Sequence, residues 1–145
     1  MSLSPNQLSP FHLAIPVDDL DAAKDFYGGV FGCAQGRRSD RWIDFDFFGH
    51  QLVVHFAPAE CGHSETTLVD GKDVPVKHFG VVLDYDAWKS LADRVTAAAI
   101  DFIIEPGIRF QGEPGEQGTF FLLDPAGNAL EFKYFKDRSK LFVAT

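Results

Sequence analysis

The chain has 145 residues, 46% of them hydrophobic with 15 Phe, and a formal net charge of −8. That is enough apolar chain for one domain with a real core, and the acidic balance argues against nucleic acid, whose phosphates call for a basic stripe. No apolar run is long enough to span a bilayer. The opening "MSLSPNQLSP" lacks the basic and apolar regions of a secretion signal, and Cys33 and Cys61 show no CxxC spacing. A cytoplasmic location with reduced thiols is therefore the expectation.

In chain order, "PFHLAIPV" (10–17) reads as an apolar strand, with Pro16 near its end or at an edge. Asp18 or Asp19 then caps a helix whose apolar positions Ala23, Phe26, Tyr27 and Val30 keep helical spacing, and Gly28, Gly29 and Gly32 end it. "CAQGRR" holds room for a short strand. "RWIDFDFF" (41–48) alternates as a half-buried strand, "GH" turns the chain, and "QLVVHFA" (51–57) is the next strand. Residues 58–75 carry Pro, Gly, Ser, Thr and Asp without periodicity and read as a linker.

The pattern then begins again. "VKHFGVVLD" (76–84) is a strand, and a helix follows with Trp88, Leu91, Ala92, Val95 and Ala99 on one face. "DFIIEPGIRF" (101–110) is a strand broken at Pro106–Gly107, "QGEPGEQ" a loop, "GTFFLLD" (118–124) a strand, "PAGN" a turn, and "ALEFKYF" (129–135) the last strand. Both halves run His, apolar strand, acidic stop, then "DAAK" or "DAWK" opening a helix. The expectation is a single domain of two βαβββ modules, 10–57 and 76–135, joined by 58–75.

Strand alternation separates the faces. His12 shares its side with Ala14 and Pro16, His78 with Gly80 and Val82, and Glu131 with Ala129 and Lys133. The opposite sides are bulky and apolar. A donor beside a small residue suits an open metal site, although a lone strand His is more often a hydrogen-bonded core residue. His55 joins through its strand, where its late position matches it to Glu131. If the modules pair face to face about a pseudo-twofold axis, His12, His55, His78 and Glu131 share one cleft. Two His and one carboxylate with open positions is the Fe(II) oxygenase arrangement, and zinc, nickel, manganese or cobalt suit the same donors.

The residues "FHLAIPVDDLDAAKDFYGGVFG", "VKHFGVVL" and "FFLLDPAGNALEFK" resemble the vicinal oxygen chelate superfamily, which includes glyoxalase I, fosfomycin- and bleomycin-resistance proteins and extradiol dioxygenases. The resemblance covers residues 10 to 135. It implies an α+β fold, two βαβββ modules forming a cupped, incomplete mixed barrel, with His12, His78 and Glu131 as ligands of a divalent metal. Glyoxalase I-like members carry a carboxylate where the resemblance places His55. An imidazole there fits the acid–base of a dioxygenase better, while a fourth ligand or a structural role stays open. The chain is half the usual length of ring-cleaving dioxygenases, and it offers Phe120 and Phe121 where they use Tyr. The leading expectation is a dioxygenase-like enzyme, with Fe(II) favoured, acting on a small substrate such as an aromatic diol. The alternatives are a glyoxalase-type isomerase or lyase, or a metal-free drug-binding protein. The resemblance also implies a homodimer.

The loop "IRFQGEPGEQGTFF" (108–121) reads either as a lid, with Arg109 pairing a substrate carboxylate and Glu113 or Glu116 in the chemistry, or as a solvated hairpin. His50 reads as a turn residue and His63 as a solvated linker residue. Lys133 either neutralises Glu131 or lies at the cleft rim.

Overall fold

Each half of the chain folds as strand, helix and three strands in the computed structural model, which describes residues 8–62, 65–69 and 71–144. His63 lies outside the described residues. The first module comprises β1 (His12–Val17), a helical segment, β2 (Gln35–Arg38), β3 (Trp42–Phe47) and β4 (His50–Phe56). Its sheet order is β1-β4-β3-β2, with β1 parallel to β4 and the other pairs antiparallel. The second module begins with β7 (His78–Phe79) and β8 (Val82–Leu83), two pieces of one strand, followed by α2 (Tyr85–Ala97), β9 (Phe102–Arg109), β10 (Gln117–Leu123) and β11 (Ala129–Phe135). β7 and β8 run parallel to β11, and β10 and β9 follow antiparallel. The two sheets have the same strand order, and neither closes into a barrel. The fold is α+β with cupped, open sheets.

The first helical segment departs from the ideal spacing. Asp19, not Asp18, caps it by accepting from Ala22 N–H at 3.0 Å. One α-turn, α1 (Leu20–Ala23), then widens into a π-helix over Lys24–Val30. The wider turn aligns residues five apart, so Phe26 and Phe31 stack with ring centres 4.6 Å apart beside the buried Tyr27. The β3–β4 reversal uses Phe48 and Gly49, both at positive φ (53° and 90°), the two-residue hairpin turn that matches strand twist. His50 follows this turn and accepts the Phe11 N–H on Nδ1 at 2.8 Å, pinning the start of β1.

Segment 58–75 is not plain linker. It carries a 3-10 turn at Pro58–Glu60 and a hairpin of β5 (Thr66–Val69) and β6 (Lys72–Pro75). Nor does Pro106–Gly107 end a strand: β9 runs through it, and the cost appears as register shifts against β10 between Thr119 and Leu122.

The modules meet through their apolar faces. In β3, Ile43, Phe45 and Phe47 are buried, while Trp42, Asp44 and Asp46 are not. Phe132 from β11 packs on Phe31, Phe47 and Phe48, with centroids 5.4–6.0 Å apart. Trp88, Leu91, Val95, Phe120 and Leu130 belong to this same core. The turn after β10 also crosses between modules: Tyr27 donates to Asp124 at 2.7 Å, and Asn128 Nδ2 donates to Pro16 O at 2.8 Å. The faces bearing His12 and Glu131 therefore point away from the shared core. Within the chain these two faces do not meet, because the bulky faces spend their apolar area on each other. No helix among the described residues is long and apolar enough to cross a membrane.

Candidate metal centre

β7 and β11 bring two of the expected donors together. His78 pairs in register with Ala129, and Val82 with Lys133, so Gly80 stands opposite Glu131. A Cβ on Gly80 would lie 1.6 Å from the Glu131 carbonyl oxygen, so glycine is required by backbone approach as well as by space in the cleft. His78 Nε2 lies 3.3 Å from Glu131 Oε2. These residues, with Phe79, Val81, Val82 and Lys133, line a shallow cleft of ≈ 220 Å³.

Outer partners fix both donors. Pro75 O lies 2.9 Å from His78 Nδ1, and a carbonyl oxygen only accepts, so Nδ1 carries the hydrogen. In neutral His78 the Nε2 lone pair then faces the carboxylate, an arrangement that calls for a proton or a cation between them. Glu131 Oε1 accepts from Thr119 Oγ1 at 2.8 Å.

His12 sits on the polar face of the other sheet and is exposed. Its Nδ1 lies 2.9 Å from Gln51 Oε1, and Gln51 Nε2 points to Asp44 Oδ2 at 3.4 Å. The amide oxygen therefore faces the imidazole and accepts from Nδ1–H, leaving Nε2 as the donor atom. Both His residues thus carry the same tautomer, each held by a carbonyl oxygen. Among the described residues, however, no three His, Cys, Asp or Glu side chains within one chain converge to hold a metal ion. His12 does not join His78 and Glu131 inside the chain.

The register also corrects the match between His55 and Glu131. His12 pairs with Gln51 as His78 pairs with Ala129, so the counterpart of Glu131 is Val53, opposite Ala14. His55 corresponds to Lys133. It is exposed on the polar face, opposite Pro16 and Trp42.

The loop residues separate. Arg109 ends β9 opposite Gln117, exposed and on the sheet face that bears Glu131. Glu113 is exposed at the loop tip. Glu116 is tied down instead: it accepts from Gly112 N–H at 2.8 Å and from the Tyr134 hydroxyl at 2.9 Å, on the core side of the sheet. The Gly112 bond, then the Tyr134 bond, hold its carboxyl below the usual range. Burial, reinforced by Glu116, pushes Tyr134 up to about 12. None of the three lines the His78–Glu131 cleft. The sequence reading did not single out Gln51, Asp44 or Thr119. Their signal was available in cross-strand register, since each stands beside or one pair away from a donor on the same face.

A sequence model of the Glyoxalase/Bleomycin resistance protein/Dioxygenase superfamily matches residues 9–132. A glyoxalase/bleomycin resistance protein/dioxygenase from Alicyclobacillus acidocaldarius has 37% identity and a TM-score of 0.75, over 96% of this chain and 100% of that one. A lactoylglutathione lyase from Agrobacterium tumefaciens shares the fold at 22% identity and TM-score 0.63, covering 97% and 100%. A genomically encoded fosfomycin resistance protein from Listeria monocytogenes does so at 15% identity and TM-score 0.64, covering 96% and 99%. A search of curated protein sequences finds no match.

Proposed function

Because the chain belongs to the glyoxalase/bleomycin resistance protein/dioxygenase superfamily, we propose that it is a metal-dependent, dioxygenase-like enzyme that holds a small substrate by two adjacent oxygens. His78 and Glu131 of one copy and His12 of a second copy are the metal donors. The observation that carries this reading is the matched outer shell: each donor is fixed by its own partner, Pro75 O, Thr119 Oγ1 and Gln51 Oε1. Metal ligands are built this way, with the outer bond setting tautomer and ring orientation. Two imidazole nitrogens and a carboxylate fit Fe(II) best, and they also fit zinc, nickel or manganese. The bound ion would polarise the substrate oxygens and stabilise the negative charge that develops there.

Topology supports the second copy. The apolar faces are consumed within the chain, and the donor faces stay open. β1 and β7/β8 are edge strands of their sheets, and they carry His12 and His78. Placing those edges beside each other in a homodimer covers both and joins the three donors. Val53 at the counterpart of Glu131 adds no fourth protein ligand, which leaves positions open and sets the dioxygenase reading above a glyoxalase-type isomerase with a second carboxylate. His55, two residues on, is the proton-transfer group in this reading.

Two inactive variants test the arrangement. His12→Ala and Glu131→Gln each lose metal and oxygen uptake with catechols after anaerobic Fe(II) loading. Mixed and allowed to exchange, they regenerate one intact site per heterodimer, about a quarter of the wild-type sites. No recovery on mixing, or a monomer by light scattering, defeats the shared site. Full metal loading without oxygen uptake defeats the dioxygenase chemistry and leaves the isomerase reading. Small-molecule binding that is unchanged in His78→Ala and needs no metal establishes the drug-binding alternative.

A further inference from the structure

We infer that Lys133 is an anion subsite of the metal cleft, so that the substrate carries a carboxylate or phosphonate-type oxyanion next to its chelating oxygens. This rests on the metal site proposed above. Lys133 lies two residues after Glu131 on β11, so its stem rises from the same face and lines the same cleft. Its neighbours across the strands are Thr119 and Val82, neither of which supplies a counter-charge. The ammonium is 3.7 Å from Glu131 Oε1, beyond hydrogen-bond length, and its side chain is 45% exposed.

Glu131 does not need this lysine. Its Oε1 already accepts from Thr119 at 2.8 Å, and its Oε2 faces His78. A divalent ion on Glu131 and His78 would repel the ammonium as well. Ion, carboxylate and ammonium together leave a net charge of about +2 in a cleft otherwise lined by His78 and apolar residues. In a chain of net charge −8, this concentrated positive charge selects an anion. The first module carries His55 at the matching place, another side chain able to hold positive charge.

The test uses the Co(II)-loaded dimer, with metal content and the visible spectrum measured first. Catechol and 2,3-dihydroxybenzoate are then titrated, two probes that share the diol and differ in one carboxylate. Lys133→Met should weaken 2,3-dihydroxybenzoate about ten-fold and leave catechol within about two-fold, and Lys133→Arg should restore most of the loss. Equal effects on both probes, or no effect on either, overturn the subsite while the loaded metal stands. So does tighter metal binding with unchanged anion affinity, which marks Lys133 as a neutraliser of Glu131. Failure of the wild-type protein to take up Co(II) removes the metal site and the subsite together.

Discussion

The two sheets have the same strand order and the same leading histidine, yet they differ where chemistry would occur. Ala14 faces Val53 in the first, and Gly80 faces Glu131 in the second. His55 in one matches Lys133 in the other. The shared features are those that backbone pairing and the apolar faces demand. The differing ones lie on the polar faces, where packing imposes little and ligands can impose much. The polar face of the first module carries His12, with its Gln51–Asp44 support, and His55, and that of the second carries His78, Glu131 and Lys133.

The sharpest way to break this comparison is to exchange the small residues. Gly80→Ala puts a methyl group into the Glu131 carbonyl, so β7/β8 must part from β11 and carry His78 away from Glu131. A loss of about 3 kcal/mol in denaturant unfolding is expected, with loss of metal binding in whatever folds. Ala14→Gly, at the matching place, costs only about 0.5–1 kcal/mol of chain entropy. Equal costs at the two positions would mean that the strands approach equally closely, and the asymmetry would vanish.

Next in size is the bond network that joins the modules. Asp124 is buried and accepts from Tyr27 O–H, Asn128 Nδ2–H and the N–H groups of Ala126 and Asn128. Tyr27→Phe removes one bond to a buried carboxylate and should cost about 2 kcal/mol. Burial raises the Asp124 carboxyl above its ordinary 3.8, and the bonds from Asn128 and Tyr27 offset only part of that. The folded state therefore holds this proton at higher pH than the unfolded chain does. The residue's contribution to stability is largest below the ordinary carboxylate range and falls as pH rises through the raised value. Acid should consequently not unfold the protein through Asp124. In Asp124→Asn, the slope of stability against pH just above 3.8 should become more positive than in wild type, since a contribution that falls with rising pH has been removed. An unchanged slope would show that Asp124 titrates at its ordinary value, and a more negative one that it titrates below it.

Much of this frame was legible in residue order. The repeat, the alternation of Trp42 to Phe47 and the polar-face positions of His12, His78 and Glu131 all rest on local periods of two or on the recurrence of a pattern. What was not legible depends on choices between equivalent surfaces. Each module has one apolar face, and nothing local says whether those faces cover each other or whether the polar faces do. The equivalence of His55 with Glu131 failed because it was counted from strand ends. Hydrogen-bond register sets the count, and a two-residue error keeps the same face. The hairpin at 66–75 has little apolar alternation to announce it, and the π-helix follows from Phe26, Tyr27 and Phe31 sharing one pocket.

The smallest contrast lies between the two thiols, one inside the first module and one in the segment that leaves it. Cys33 is buried, and burial, reinforced by Asp46 and only partly offset by Arg94, pushes its thiol up to about 11. Cys61 is part-exposed, its Sγ 3.6 Å from Ala57 O, and burial, with Asp18, Asp124 and Glu60 nearby, raises its thiol as well. Thiolate is the reactive species, so both should be slow at neutral pH, and only Cys61 is open to a reagent. Ellman's reagent should titrate one thiol in the native protein, faster as pH rises, and two in guanidinium. Cys61→Ser should abolish the native reaction. Rapid labelling of Cys33 without denaturant would mean that the core of the first module opens readily, and the two modules would then differ in stability as well as in chemistry.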